Sequence, residues 1–429
     1  MTRRPLGALM CVTVVAGACS GGVEWTGTLT DSAGIAIVAN PSEGMWTPAT
    51  RWTVEEELRI GAVEGDPDYQ FGQIGGIALG SGGGIFVLDG QAQEVRVFTP
   101  DGQYQQTVGG PGQGPGELTG AMSLVMGPGD TLFVPDIQTQ RINRYAPDGT
   151  ALESVRLSLE DGLPAVFRAT PSGVIAEQVR PLALPDRPAP DSLDAIVLLA
   201  SDGSVADTLM KFPSGKTLNL GGSTPELNLY SREAVWELTP DLRLLFGVND
   251  EYRIHVYLAD GTCERILSKP FHRAPVSEQD KEAVMGFLER AWTDAGVPPA
   301  VLPQLKSIVH FGEFFPAFSN IQSGPNGTVW VQHTQSVAAL SEEELEQFNL
   351  LEDSGAPDWD VFDSEGRFLG VVSMPRRFAP RLFRDNNIYG VWRDELDVQY
   401  VMRLRIVGAG GDETVASASS PGRGDRGAG

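Results

Sequence analysis

Two stretches of this chain repeat one another in residue type and in spacing. Gly84-Ile85-Phe86-Val87-Leu88-Asp89 is followed by Glu94-Val95-Arg96-Val97-Phe98 and then by Pro100-Asp101-Gly102. Further on, Asp130-Thr131-Leu132-Phe133-Val134-Pro135-Asp136 is followed by Arg141-Ile142-Asn143-Arg144-Tyr145 and then by Pro147-Asp148-Gly149. Asp89 precedes Asp101 by twelve residues, as Asp136 precedes Asp148. A unit this small cannot bury its apolar face alone, so the fold has to be an array of such units.

Each unit reads as four antiparallel strands. Phe86, Val87 and Leu88 make a short buried strand, and Asp89 sits at the turn after it. The next strand alternates, with Val95 and Val97 on one face. Asp-Gly then makes a tight hairpin, because glycine accepts positive φ without steric cost. A third strand follows at Tyr104 to Val108, and at Leu152 to Leu157 in the second unit. With a strand around Ile77 to Leu79 in front, the unit has the four strands of a propeller blade.

Weaker copies continue. Ala195 to Ala200 ends in Asp202-Gly203. Leu242 to Val248 and Arg253 to Tyr257 end in Asp260-Gly261. Gly327 to Val331 pairs with Trp359 to Phe362, and Asn387 to Gly390 with Val398 to Ile406. The count is six, and the last unit lacks its outer strand. Two runs near the front, Gly34 to Ala39 and Trp52 to Ile60, have no blade of their own. The expectation is an all-β, six-bladed β-propeller over 30–407, in which these front strands complete the final blade. Closure of that kind also hides sheet edges.

The first residues read as an export signal. Arg3 and Arg4 precede a mostly apolar run from Leu6 to Ala16, too short to span a bilayer. Ala16-Gly17-Ala18-Cys19 resembles the bacterial lipobox, in which the cysteine receives lipid. This predicts a signal peptide over 1–18, lipidation at Cys19 and a linker over 19–29; an ordinary secretory signal cut near Ala18 is the alternative. Ser20 after the cysteine points to an outer-membrane anchor. Cys11 lies in the leader, which leaves Cys263 with no disulfide partner. The net charge of −24 argues against nucleic acid as a partner.

Two regions break the strand pattern. Ser277 to Ala295 reads as a helix, with Ser277 as N-cap and Ala283, Val284, Phe287, Leu288 and Ala291 as its apolar stripe. Pro298 to Ile308 is a candidate second helix and Ser341 to Leu351 a third. These helical insertions, at about 277–308 and 341–351, are expected on one face of the ring. The tail from 408 to 429 is rich in Gly, Ser and Ala and is expected to be disordered.

Three stretches carry a family resemblance: Asp66 to Gly72, the strand Ile85 to Asp89, and the loop Gly109 to Glu117. Through them the chain resembles the bacterial six-bladed, NHL-like propeller lipoproteins over roughly residues 30 to 406. The resemblance implies a fold and an envelope location; it implies no shared ligand.

The candidate chemistry is sparse. Trp292, Phe311, Phe314 and Phe315 form an aromatic cluster that either holds a ligand or attaches the helices to the ring. Arg273, Arg376, Arg377 and Arg381 stand out in an acidic chain and are candidates for receiving an acidic group. His272, His310 and His333 are weak metal candidates, since no pair has ligand spacing. Asp89 and Asp136 read as turn residues bonded to backbone N–H groups. The Gly109 to Gly116 run lacks the Lys-Ser/Thr ending of a phosphate loop and reads as an inter-blade connection. The chain is therefore expected to be a monomeric envelope lipoprotein, without cofactor, that binds a small ligand or an envelope protein. It would touch the membrane only through its lipid. The alternative is a channel-centred, metal-dependent hydrolase or lyase.

Overall fold

A computed structural model describes residues 23–408 apart from 158–161, 184–192, 214–217, 220–225, 347 and 349–354. Cys19, the expected leader, and the expected tail beyond Gly408 lie outside the described residues, and Gly408 itself belongs to the last strand. Six four-stranded antiparallel units follow one another along the chain. Blade 1 is Ile74–Leu79, Ile85–Asp89, Glu94–Phe98 and Tyr104–Gly109. Blade 2 runs from Val125–Met126 to Val155–Arg156, and blade 3 from Leu163–Ala169 to Val205–Pro213. Blade 4 runs from Ala234–Leu238 to Cys263–Ser268, and blade 5 from Asn320–Ser323 to Phe368–Ser373. Blade 6 takes Phe378–Arg384, Asn387–Arg393 and Gln399–Gly408 from the end of the chain, and Trp52–Ile60 from its beginning.

The apolar pattern explains why a ring forms. All five residues of Ile85–Asp89 are buried, so the strand is covered on both faces. Ile85 and Val87 pack with Tyr389, Val391 and Val401 of blade 6. Phe86 and Leu88, on the other face, pack with Met126, Leu132 and Val134 of blade 2. Successive side chains of a strand point to opposite sides, so each blade feeds two wedges of core. Equivalent clusters join blades 2 and 3, 3 and 4, 4 and 5, and 5 and 6.

Ring closure uses one of the two front strands, and the other goes elsewhere. Trp52–Ile60 pairs antiparallel with Gln399–Gly408 and completes blade 6, as the sequence predicts. Ile35–Ala39 instead pairs in parallel with Cys263–Ser268, and Thr28–Ser32 pairs onto it, so blade 4 has six strands. The connection between them crosses blade 5, where Trp46 N–H donates to Leu369 O at 2.7 Å. Asn40, 5% exposed, is the rivet of this strap. Its Nδ2 donates to Ser268 O of blade 4 at 3.2 Å and to Gly366 O of blade 5 at 2.9 Å. Its Oδ1 accepts from Phe368 N–H at 2.7 Å and from Trp25 Nε1 at 3.0 Å. The strap therefore engages the ring ahead of the expected propeller boundary at residue 30, through Trp25 and the strand from Thr28. Alternating apolar residues specify a strand, but they do not specify which open edge it joins.

In an antiparallel blade, the inter-blade linkers and the second-to-third-strand turns share one face of the ring. We call this the linker face. Helix α1 (Glu278–Asp294) and helix α2 (Leu302–Ser307) belong to the linker from blade 4 to blade 5. Helix α3 (Glu342–Glu346) lies in the second-to-third-strand connection of blade 5. All three helices thus sit on the linker face.

Candidate functional site

The insertions form a small second core. Val284 and Leu288 of α1 pack with Val337 and Phe348 of the blade 5 insertion, together with Trp292, Phe311 and Tyr230. Ser277 and Asp280 make a reciprocal capping box at the start of α1. Asp280 Oδ1 also accepts from Ser336 Oγ at 2.6 Å, which ties the two insertions together. Val309–Phe311 pairs in parallel with Leu227–Leu229 of the linker from blade 3 to blade 4. Phe315 meets the Tyr230 ring edge-on at 4.7 Å, and the Arg273 guanidinium lies 4.3 Å from the Phe314 ring. Trp292 and Phe311 are thus half-buried against the insertion core, and Phe314, Phe315 and Arg273 lie beside the linkers that seat it.

Arg376, Arg377 and Arg381 do come together. They line an open cleft on the linker face. Blade 6 forms one wall; blade 5 and its α3 insertion form the other. The arginines come from the linker between those blades and from the inner strand Phe378–Arg384. Leu340, Phe378 and Pro357 supply apolar surface, and Gln332 and Gln335 supply amides. Arg376 forms an ion pair with Glu344 of α3 across the cleft. Arg377 lies 3.6 Å from Asp397, which also holds the buried Arg393 at 2.6 Å. The sequence singled out the arginines. It gave no sign of Gln332, Glu344 or Leu340, because no spacing connects them.

The inner strands of all six blades line a central channel. Arg381 borders both the cleft and the channel, so the two spaces meet at its side chain. Arg168 Nε donates to Glu237 Oε2 at 3.0 Å on the channel wall. Burial pushes the Glu237 carboxyl up, against the pull of that guanidinium. Arg384 Nη1 donates to Gly80 O at 2.9 Å, joining blade 6 to blade 1.

The histidines separate. His310 is exposed on its short strand and His272 is exposed on a linker. His333 joins a buried group that the sequence did not reveal. Its Nε2 lies 2.9 Å from Asp360 Oδ1. Asp360, 0% exposed, also takes Lys269 Nζ at 2.8 Å on both oxygens and Tyr252 OH at 2.6 Å. Burial alone would raise the Asp360 carboxyl, but the His333 ring and the Lys269 ammonium hold it below the ordinary carboxylate range. Burial and the adjacent Asp360 carboxylate push the Tyr252 phenol well above its usual value. This group joins blade 4 to blade 5. Among the described residues, no three His, Cys, Asp or Glu side chains gather as a metal site.

The repeated aspartates clamp backbone. Asp89 accepts from the N–H groups of Gln91 and Ala92 in its own turn and of Gly72 and Gln73 in the preceding linker. Asp136 does the same with Thr139, Thr119 and Gly120. Those donors hold its carboxyl below the usual range, although burial works the other way. In the glycine-rich loop, Glu117 Oε2 accepts from Gly114 N–H at 2.7 Å and fills the space a Cβ on Gly112 would need.

The six wedges and the closing strand leave one architecture. A family model described as a 6-bladed beta-propeller matches residues 63–161, which cover blades 1 and 2. The chain is a six-bladed β-propeller. Solved propellers resemble it over nearly their whole length. One, from Bacteroides fragilis and described by name as exported, is 12% identical with a TM-score of 0.50, covering 86% of this chain and 99% of that one. Another, a member of the DUF4221 family from Bacteroides vulgatus, is 9% identical with a TM-score of 0.50, covering 84% and 99%. Virginiamycin B lyase from Staphylococcus aureus is 11% identical with a TM-score of 0.42, covering 83% and 100%. No curated protein matches the sequence. At these identities the likeness is one of fold. No helix among the described residues is long and apolar enough to cross a membrane.

Proposed function

We propose that this propeller is an exported, lipid-anchored binding protein whose small ligand sits in the cleft between blade 5, its α3 insertion and blade 6. One observation carries the reading: Arg376, Arg377 and Arg381, scattered in no recognisable motif, converge on a cleft that also has apolar walls. A concave, partly apolar space with a few convergent polar groups is the usual form of a small-molecule site. The leader and Cys19 support delivery to the envelope. The metal-dependent hydrolase or lyase reading has no comparable cluster among the described residues.

The test is native mass spectrometry of the exported protein after incubation with bacterial envelope extract. Ala379→Trp and Leu340→Trp both place bulk in the cleft. A bound small molecule that both variants lose, at unchanged melting temperature, supports the cleft. A molecule retained by both would put the site elsewhere on the ring.

A further inference from the structure

We infer that the rim at the seam of blades 4 and 5 lies against the membrane surface, held there by the short stretch between Cys19 and the strap. This rests on Cys19 carrying the lipid. Val23 is already fixed to the ring. Its N–H donates to Met45 O at 3.2 Å, and Met45 N–H donates to Phe368 O, on the outer strand of blade 5, at 3.2 Å. Two residues on, Trp25 bonds Asn40 at 3.0 Å and packs against the core between blades 4 and 5. Cys19 stands four positions before Val23. That length of chain reaches at most about 14 Å, even fully extended. Three strand spacings, the width of a blade from its outer strand to its inner one, also come to about 14 Å. In a ring of six, blades 1 and 2 stand across the channel from blades 4 and 5. The lipid therefore cannot enter a bilayer that meets the ring at blades 1 and 2.

The strap presents apolar side chains at the place the tether reaches. Val23 is 53% exposed and Leu29 is 56% exposed. Leu29 stands opposite Val38 in the strand ladder, and Val38 is buried in the core between blades 4 and 5. Residues opposite one another share a face of the sheet, so Leu29 lies at the outer end of that same seam. Two such side chains bury too little area to hold a protein on a bilayer by themselves. A short tether changes this, because it makes the contact intramolecular, at an effective concentration of about millimolar. Membrane contact then extends beyond the lipid to the strap. Seating on the rim also leaves both faces of the ring in water, and with them the cleft on the linker face.

The test uses the full lipidated chain in phosphatidylcholine vesicles that contain a lipid with a nitroxide headgroup. On a Cys263→Ser background, single cysteines carry an environment-sensitive fluorophore at four exposed positions. Leu29→Cys reports the strap, and Gln105→Cys the outer strand of blade 1. Glu395→Cys reports the linker face, and Asn386→Cys the opposite face. The label at 29 should be quenched at least about threefold more than the label at 105, with 386 and 395 in between. Inserting about twelve Gly and Ser residues between Gly22 and Val23 should bring the four positions to within about twofold of one another. Stronger quenching at 386 or 395 than at 29 would mean that the ring lies on a face, and would overturn the inference. So would equal quenching at 29 and 105 while Cys19 still takes up labelled palmitate; the anchor would then stand without the rim contact. Quenching that survives the insertion unchanged would overturn the tether as its cause. No palmitate at Cys19 and no quenching at any position would overturn the anchor and the rim contact together.

Discussion

Arg405 Nη2 donates to Glu55 Oε2 at 3.0 Å across 350 residues of sequence, where the strand Trp52–Ile60 lies against Gln399–Gly408. The ladder beneath that pair closes the ring, whereas the pair itself is exposed on both sides. Glu55→Gln should therefore change stability by no more than about 1 kcal/mol. Removing residues 23–60 opens blade 6 along the whole of Gln399–Gly408, and should give a chain that aggregates and unfolds without one sharp transition. Urea titration and light scattering read both results; a truncated chain that stays monomeric and cooperative would refute the closure.

Asn40 should be one of the least replaceable polar residues outside the blades. It makes four hydrogen bonds to three separate segments while almost fully buried. Asn40→Ala should cost roughly 2–4 kcal/mol, since the loss takes the side-chain partner from the buried Gly366 carbonyl and the buried Phe368 N–H. Asn40→Asp should be no better, because a carboxylate cannot donate to Ser268 O and Gly366 O. A shift of the urea midpoint by less than a third of that predicted for Asn40→Ala would show the strap to be held by its strand pairing alone.

The Asp360 group gives a pH signature. Its carboxyl sits below the ordinary value near 4, so its contribution to stability is complete above that value and is lost as pH falls through the lower folded value. Asp360→Asn should cost about 3–5 kcal/mol at pH 7, because the partly buried Lys269 ammonium is left facing a neutral amide. The gap between wild type and variant should narrow below pH 4. Thermal melts at pH 7, 5 and 3 check this; a gap that stays constant would mean that the pairing is not what the variant removes.

Cys19→Ser should move the protein from the membrane fraction to the soluble exported fraction and abolish incorporation of labelled palmitate. A variant that remains in the membrane and still takes up label would place the anchor at another residue.

What the sequence disclosed, and what it did not, divides along physical lines. The blades were legible because Asp89 and Asp136 recur at one offset from an Asp-Gly turn, and because fully buried strands read as apolar runs such as Ile85 to Leu88. Helix α1 was legible from Ser277 and a 3.6-residue stripe. The destination of Ile35–Ala39 was not, since blade 4 and blade 6 both offered an edge that accepts an alternating strand. The Asp360 group was hidden because Tyr252, Lys269, His333 and Asp360 come from two blades and share no spacing. The three arginines were visible as excess positive charge, but their opposing wall needed the fold to bring Leu340 and Glu344 across from an insertion.

The closing strand Trp52–Ile60 leaves the ribosome first among the parts of blade 6, and its partner leaves last. Until the end of the chain arrives, that segment must wait as an unsatisfied β-template in a crowded compartment. Glu55, Glu56 and Glu57 stand together at its middle. Three adjacent negative charges discourage self-association of a lone strand, and the arginines at 403 and 405 meet Glu57 and Glu55 once the ring shuts. The same carboxylates thus guard solubility early and tolerate docking late.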